Sequence, residues 1–216
     1  GRVFVVFGGA DGLDDSVSLD AVDGSDGFVV TGEYEGDGLG SAVASAGDVD
    51  GDGIGDLIIG AYHAGDRHST GNGSSRSGSE GTSYLVYGKD VVSGDPQTAF
   101  AASLDAETLD GFQPEGIGAE SGESVAGIGD FNGDGFSDFV ISGAYKTQNK
   151  GIEGAAYVVF GTPFGMPDLT DLESLDGANG FEFGASDAWY DGVGDTVSSA
   201  GDVNGDGFDD LLVGSN

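Results

Sequence analysis

Oxygen-bearing side chains recur at the same positions of three short, glycine-rich segments, residues 48–56, 130–138 and 202–210. Aspartate or asparagine stands at positions 1, 3, 5 and 9 of each segment, and glycine stands at positions 4 and 6. Alternate side chains of a tightly curled loop point inward, so that they and one backbone carbonyl would surround a cation with oxygen atoms. Such hard oxygen ligands suit Ca²⁺. The spacing therefore predicts three calcium sites, one in each segment.

Each predicted site uses the four side chains together with the backbone carbonyl at position 7 of its segment. Glycines at positions 4 and 6 allow the left-handed backbone that the curl requires. Acidic surface turns are the simpler interpretation, because Asp-Gly pairs are ordinary turn formers. Three copies of one four-position pattern favour calcium sites instead. The predicted ligands are Asp48, Asp50, Asp52, Ile54 (carbonyl) and Asp56; Asp130, Asn132, Asp134, Phe136 (carbonyl) and Asp138; and Asp202, Asn204, Asp206, Phe208 (carbonyl) and Asp210.

The residues after each segment distinguish these loops from EF-hand or dockerin loops. An EF-hand requires a carboxylate at position 12, whereas position 12 here is Ile59, Ile141 or Val213. An apolar, strand-like run surrounds that position in every copy. The loops are therefore expected to lie between β-strands rather than between helices.

The loops belong to a longer internal repeat of four short strands. A strand of small residues precedes each loop, and an apolar strand follows it. An apolar strand ending in glycine comes next, and a short aromatic strand completes the unit. Four short strands repeated at this length are typical of a β-propeller blade. Small side chains let strands crowd together, which places the strands before the loops innermost: 41–47, 123–129 and 195–201.

Short motifs in this repeat resemble a known family. They are Phe7-Gly8, Phe160-Gly161, Gly60-Ala61-Tyr62 and Gly143-Ala144-Tyr145. With the calcium loops, they resemble the FG-GAP repeats of integrin alpha-subunit propellers and of many secreted bacterial proteins. The resemblance implies that each calcium loop joins the first and second strands of a blade, and that partners bind loops on the opposite face. Tyr87-Gly88 departs from Phe-Gly with little consequence.

One further departure is the position of Ser142 before Gly143, which shifts the Gly-Ala-Tyr motif by one residue relative to the Gly60 copy. An extra residue in one strand of a pair is accommodated by a β-bulge. The sequence therefore predicts a bulge in this strand.

The expected fold is all-β, with about three four-stranded FG-GAP propeller blades. We expect one propeller region over residues 1–216, as a fragment or part of a larger or oligomeric propeller. Its repeats are expected at 1–31 (a half blade), 32–117, 118–184 and 185–216 (a half blade). Closed propellers normally have four to eight blades. The end strands are therefore expected to pair with strands outside these 216 residues, in a longer chain or in a second copy.

Composition limits the possible partners and location. The net charge is −33, from 39 acidic and 6 basic residues, which disfavours nucleic acid and anionic membrane surfaces. No apolar run approaches the 18 residues or so that would predict a membrane span. The chain opens without a signal peptide, which indicates a processed or excised product. Weak calcium sites work best where calcium is millimolar, so we expect an extracellular or cell-surface location.

Other polar and aromatic groups offer less specific chemistry. His63, Asp66 and His68 could bind zinc, although a solvated Ser/Gly-rich loop is the better interpretation. Arg67 and Arg76 in the same loop could contact an acidic partner. Trp189-Tyr190-Asp191 and Tyr34-Glu35 could form a platform for a sugar or a protein, or they could pack between blades. No nucleophile elbow, phosphate loop or Ser-His-Asp arrangement is present in the sequence.

The expected function is therefore non-catalytic: a calcium-binding module for adhesion or for binding a protein or glycan. The resemblance, rather than composition, implies this function. One alternative is a scaffold or accessory domain of a secreted enzyme that acts on polysaccharides. Another is a structural unit of a surface layer or filament, in which the chain associates with itself through its end strands.

Overall fold

The computed structural model describes residues 1–9, 18–64, 81–90, 103–105, 110–112, 121–148, 151–163, 165–166, 171–184 and 192–215. Within these ranges the regular structure is β-strand, apart from single 3-10 turns at Leu19–Ala21 and Leu172–Ser174. The all-β prediction is confirmed. No helix in the described ranges has the length and apolar character needed to cross a membrane.

Thirteen strands form in the described ranges, and most coincide with runs of β-branched, aromatic or small residues. They are β1 (Arg2–Val6), β2 (Gly27–Thr31), β3 (Leu39–Gly47), β4 (Asp56–Ala61), β5 (Thr82–Val86), β6 (Ser103–Asp105), β7 (Asp110–Phe112), β8 (Ser121–Gly129), β9 (Asp138–Gln148), β10 (Gly151–Val159), β11 (Gly180–Gly184), β12 (Thr196–Gly201) and β13 (Asp210–Gly214).

The strands are grouped into propeller blades. Two sheets have four strands each, in the orders β3-β4-β5-β7 and β8-β9-β10-β11, with every neighbouring pair antiparallel. The pairs β1-β2 and β12-β13 correspond to the last two and the first two strands of such a sheet. No ladder joins β1 to β13 in the described part of the chain. The exact repeat boundaries, and the partners of the end strands, stay predictions.

Strand β6 lies in the connector between β5 and β7 and is not one of the four strands that the sequence predicts for a blade. It pairs in parallel with β2, with Val30 opposite Leu104. Because β2 is the outer strand of its pair, its free edge offers unpaired backbone N–H and C=O groups. A short extended piece of the connector satisfies some of them. Strand β6 belongs to the predicted repeat 32–117 but pairs with a strand of the predicted half blade 1–31, so this pairing crosses the predicted boundary.

The small-residue strands β3, β8 and β12 lie next to one another across the blades, as an innermost position requires. A Cβ atom on Gly127 would meet the carbonyl oxygen of Ser45, so only glycine permits this approach. The Ser41 hydroxyl donates to the carbonyl of Gly122 at 3.3 Å. On the next blade, the backbone N–H of Val197 donates to the Ser124 hydroxyl at 3.1 Å.

The predicted bulge is present between β9 and β10. Gly143 faces Ala155 and Lys146 faces Glu153, so three steps along β9 match two steps along β10. The extra residue therefore lies in β9, directly after the shifted glycine. The shift of the Gly-Ala-Tyr motif is absorbed locally, and the register from Phe139 to Gly143 is regular.

Apolar side chains are buried between neighbouring sheets, so each four-stranded sheet is apolar on both faces. In β4, Ile58 contributes to the core between the two four-stranded sheets, and Ile59 contributes to the core shared with β1 and β2. Phe139 and Tyr157 fill the first of these cores. This two-sided burial explains why the strands after the loops are continuous apolar runs rather than alternating patterns.

Candidate metal centres

The three predicted calcium loops connect β3 to β4, β8 to β9 and β12 to β13. These are the first and second strands of successive blades, as the family resemblance implied. Each loop is short because its two strands are antiparallel neighbours. The adjacent inner strands bring successive loops together at one end of the sheets.

The predicted left-handed backbone is present at positions 4 and 6 of every loop. In the first loop, the φ angles of Gly51 and Gly53 are 76° and 88°. The equivalent glycines of the other loops have φ angles between 76° and 96°: Gly133, Gly135, Gly205 and Gly207. A side chain at any of these positions would strain the backbone.

The aspartate at position 1 organises its loop by accepting the backbone N–H of the glycine at position 6. The distances are 2.9 Å from Gly53 to Asp48, 3.0 Å from Gly135 to Asp130, and 2.9 Å from Gly207 to Asp202. The aspartate at position 5 likewise accepts the N–H at position 7 in each loop. These bonds curl the backbone around the acidic side chains.

The first loop gathers three carboxylates into an arrangement that fits a cation. One ligand oxygen from each of Asp48, Asp50 and Asp56 lies within 4.8 Å of the others. Oδ1 of Asp48 is buried and has no hydrogen-bond partner. A buried carboxylate oxygen without a partner is costly unless a cation or water satisfies it. The residues present therefore fit a hard divalent cation. Asp52 lies in the same loop and accepts the N–H of Ile54 at 2.8 Å.

In the second and third loops, the position 3 amide contacts a neighbouring carboxylate. The Asn132 side-chain amide donates to Asp134 at 2.9 Å, and that of Asn204 donates to Asp210 at 3.4 Å. Within the described ranges, the first loop alone provides a close group of three carboxylates. The full ligand sets of the three loops stay predictions.

The aspartate at position 9 connects its loop to the turn that follows a distant strand. One oxygen of Asp56 accepts the N–H of Val49 at 2.8 Å, and the other accepts the N–H of Gly88 at 2.7 Å. Asp138 does the same with Phe131 at 2.9 Å and Gly161 at 2.8 Å. The aspartates at this position in the first two loops are almost completely buried.

An aromatic residue followed by glycine, Tyr87-Gly88 or Phe160-Gly161, forms an aromatic-glycine pair. The glycine of this pair is a site residue that sequence reasoning missed. The sequence identifies the pair as a family motif but gives no sign of its hydrogen bond to the loop. A Cβ atom on Gly161 would meet the carbonyl oxygen of Ser137 and would lie 2.8 Å from that of Val49. In Tyr87-Gly88, the tyrosine hydroxyl accepts the N–H of Met166 at 3.0 Å, which gives this departure from Phe-Gly a structural role.

Burial and hydrogen bonding shift the pKa values of the loop aspartates in opposite directions. Burial raises the pKa of Asp56, and it raises the pKa of Asp138 to about 6. The negative charge of Asp134 adds to the shift at Asp138. The backbone N–H of Gly207 lowers the pKa of Asp202. A bound cation would hold the buried carboxylates in their ionised form.

The remaining candidate residues lie only partly within the described ranges. Tyr34 is 57% exposed in the β2–β3 connection. The rings of Tyr62 and His63 are 3.9 Å apart. Glu35, beside Tyr34, is exposed. The remaining members of the possible zinc, basic and aromatic groups lie outside the described residues: Asp66, Arg67, His68, Arg76, Trp189, Tyr190 and Asp191.

Comparison with known proteins agrees with the fold and the loops. The sequence profile described as FG-GAP repeat matches residues 39–85, 121–159 and 193–216. Integrin alpha pat-2 of Caenorhabditis elegans is 32% identical over 94 residues, which cover 44% of this chain and 7% of that protein. Phosphatidylinositol-glycan-specific phospholipase D of Bos taurus is 34% identical over 165 residues, which cover 74% of this chain and 16% of that protein. Integrin alpha-PS5 of Drosophila melanogaster is 29% identical over 140 residues, which cover 58% of this chain and 13% of that protein.

These matches and the blade architecture define a propeller module of the integrin alpha-like type. The chain belongs to the FG-GAP repeat family. It spans at most 16% of the length of the three relatives named here.

Proposed function

We propose that this region is a calcium-stabilised, extracellular propeller module that binds a protein or glycan partner and does not itself catalyse a reaction. The buried, unpartnered Oδ1 of Asp48 beside Asp50 and Asp56 carries the calcium part of the proposal. Membership of the FG-GAP family and the integrin alpha relatives support the binding part.

Calcium would be held by the side chains at positions 1, 3, 5 and 9 of each loop and by the carbonyl at position 7. Its double charge would offset the mutual repulsion of the loop carboxylates. It would thereby fix the turn between the first two strands of a blade. Three sites would form in this region, and the millimolar calcium outside cells would keep weak sites filled.

Isothermal calorimetry with calcium tests this role directly. Saturable binding with a stoichiometry of about three is expected, and Asp48→Asn should remove one site. Asp90→Asn is a matched control, because Asp90 is an exposed acidic residue outside the loops. An unchanged stoichiometry in Asp48→Asn, or absence of saturable binding in the parent protein, would show the calcium assignment to be wrong.

Partner binding is proposed for the end of the sheets opposite the calcium loops. There the β2–β3 and β4–β5 connections meet at Asp37, which is 7% exposed. Its carboxylate accepts the N–H of Tyr34 at 2.8 Å, and its carbonyl accepts the N–H of His63 at 3.0 Å. These bonds fix the backbone of the exposed Tyr34 close to the turn that carries the Tyr62 and His63 rings. Aromatic rings presented in this way suit sugars and protein surfaces.

A glycan array and a panel of extracellular matrix proteins, each probed with and without calcium, test the binding proposal. Tyr34→Ser should weaken any signal, whereas Leu19→Ser should not, because Leu19 is an exposed residue in the β1–β2 connector. Signals that are equal in both variants would place the binding surface elsewhere.

An accessory role in a secreted enzyme is the second candidate. The similarity to phosphatidylinositol-glycan-specific phospholipase D covers 74% of the chain and favours this candidate. In this case the module would sit beside a catalytic domain of a longer protein and position it on its substrate. Hydrolysis of phospholipid or polysaccharide by the isolated region itself would contradict the non-catalytic assignment.

Association through the end strands is also proposed, with flanking repeats or a second copy as the source of the added strands. Val203 is 73% exposed and Leu212 is 57% exposed, whereas their counterparts Val49 and Ile58 are fully buried between blades. In the first four-stranded sheet, the side chains at these repeat positions are buried by the neighbouring sheet. Sedimentation equilibrium distinguishes the sources, because only a second copy makes the association depend on concentration.

A further inference from the structure

Successive calcium loops are packed directly against each other. The ring of Phe136 in the second loop lies on Gly51 of the first loop, where a Cβ atom would be only 2.9 Å from Cδ1 of the ring. Gly51 is at position 4 and has the left-handed φ angle that curls the first loop. The ring therefore rests on the part of the backbone that shapes the first site.

A hydrogen bond joins ligand-bearing segments of the two loops. The backbone N–H of Ser137 donates to the carbonyl oxygen of Asp48 at 2.9 Å. Ser137 lies between Phe136 and Asp138, whose carbonyl and carboxylate are proposed ligands of the second site. Asp48 is the first proposed ligand of the first site. A movement of either ligand set is therefore transmitted to the other through one backbone contact.

A second connection runs through the turn after β10. The N–H of Gly161 donates to Asp138 at 2.8 Å, and the N–H of the next residue, Thr162, donates to the carbonyl of Val49 at 2.9 Å. The N–H of Val49 in turn donates to Asp56 at 2.8 Å. Two consecutive backbone amides thus link the position 9 aspartates of both loops.

We propose that the first and second loops bind calcium with positive cooperativity, transmitted by Ser137 and by the Gly161–Thr162 turn. This inference rests on the proposed role of the loops as calcium sites. Binding at one loop orders contacts that the other loop also needs, so the second ion meets a loop that is already partly ordered. Linkage requires the effect to be reciprocal.

The second and third loops provide an internal comparison. The ring of Phe208 lies on Gly133 as Phe136 lies on Gly51. However, no backbone hydrogen bond joins these two loops in the described ranges 121–148 and 192–215. We therefore expect strong coupling between the first and second loops and weak coupling between the second and third loops.

Calcium titration followed by amide NMR tests the proposal loop by loop. Gly53, Gly135 and Gly207 each donate to the first aspartate of their own loop, so their amide signals report the three sites separately. Asp130→Asn should weaken calcium binding at the first loop by about tenfold. Asp48→Asn should weaken binding at the second loop by the same factor. Asp202→Asn is the matched control and should change the second-loop affinity less than about twofold, because no backbone hydrogen bond joins the second and third loops in the described ranges.

Thr162→Pro tests the transmitting contact without changing a proposed ligand, because it removes the N–H that donates to Val49. Both loops should still bind calcium, but the effect of Asp130→Asn on the first loop should shrink. Lys89→Pro places the same substitution at the equivalent residue of the other four-stranded sheet, beside the first loop only, and should leave the coupling intact.

First-loop affinities that are equal in the parent protein and Asp130→Asn would overturn the cooperative coupling while leaving the calcium sites in place. Equal losses from Asp130→Asn and Asp202→Asn would also overturn it, since the effect would then not follow the hydrogen bonds. Absence of saturable calcium binding in the parent protein is a different outcome, which refutes the calcium role and the coupling together.

Discussion

At the residue scale, the aspartate at position 9 links the local loop to the tertiary fold. Asp138 accepts a backbone N–H from its own loop and another from Gly161, 23 residues away in sequence. Both carboxylate oxygens therefore have a partner although the side chain is fully buried. The aromatic-glycine pair is required at this point because only glycine lets the donor approach so closely.

Gly161→Ala is expected to destabilise the folded protein by about 1–3 kcal/mol, because the added methyl group would overlap the Ser137 and Val49 carbonyls. Chemical denaturation in calcium buffer measures this loss. Gly8→Ala is the matched control, since Gly8 is the equivalent glycine of the first pair and has open space around its Cα atom. The explanation fails if the two variants lose the same stability.

Burial of Asp138 predicts a pH dependence that differs with and without calcium. Without calcium, the pKa of about 6 lies above the ordinary aspartate value of 3.8, so the folded state gains stability from this group as pH falls through 6 towards 4. With calcium, the ion favours the ionised carboxylate, and protons compete with the ion as pH falls. Both effects narrow the difference between the melting temperatures with and without calcium.

Thermal melts between about pH 8 and pH 5, in calcium and in metal-free buffer, measure this difference. It should be largest at the alkaline end and shrink below about pH 6. A difference that stays constant across the range would contradict the assignment of Asp138 to a calcium site.

At the element scale, each loop is a turn that its own side chains partly organise. Backbone N–H groups donate to the aspartates at positions 1, 5 and 9, so the curl is already formed in the described structure. In the first loop three carboxylates are nevertheless close together, and their repulsion opposes the curl. A cation would remove this conflict, which makes the loops the elements most sensitive to metal.

Removal of calcium is expected to lower the melting temperature. Each site would contribute about 2.7 kcal/mol when free calcium exceeds the dissociation constant a hundredfold. In calcium, Asp130→Ala should remove much of one such contribution. In chelator its effect should be smaller, because only the hydrogen bonds that Asp130 accepts from its own loop are then lost. Differential scanning calorimetry measures both effects, with Asp90→Asn as the control. A melting temperature indifferent to chelator in every variant would refute the stabilising role.

At the scale of the whole molecule, stability depends on burial between blades rather than on any single sheet. Phe139 and Tyr157 fill the space between the two four-stranded sheets, and both are fully buried. Small residues in β3, β8 and β12 allow the inner strands to approach closely enough for this packing. The net charge of −33 opposes compaction, so these apolar contacts and the proposed cations act in the same direction.

Phe139→Ala is therefore expected to cost about 3–5 kcal/mol, because it leaves a cavity between two sheets that cannot fully collapse. Val43→Ala is the control: Val43 is 59% exposed on β3, and its truncation should change stability by less than about 0.5 kcal/mol. Urea denaturation compares the two. Similar losses would show that the interblade core does not dominate the stability.

The sequence by itself determined the features that depend on local pattern. The loop positions, the four-strand order of a blade and the bulge after Ser142 all follow from the residue types within a few positions of one another. Local periodicity carries this information, since strands and tight turns are set by neighbouring residues.

Only the tertiary structure decided the contacts between distant segments. The pairing of β6 with β2, the bond from Gly88 to Asp56 across 32 residues, and the contact of Ser137 with Asp48 join chain segments that no local pattern relates. These contacts arise because stacked blades bring equivalent turns together at one end, where buried carboxylates and free strand edges require hydrogen-bond donors.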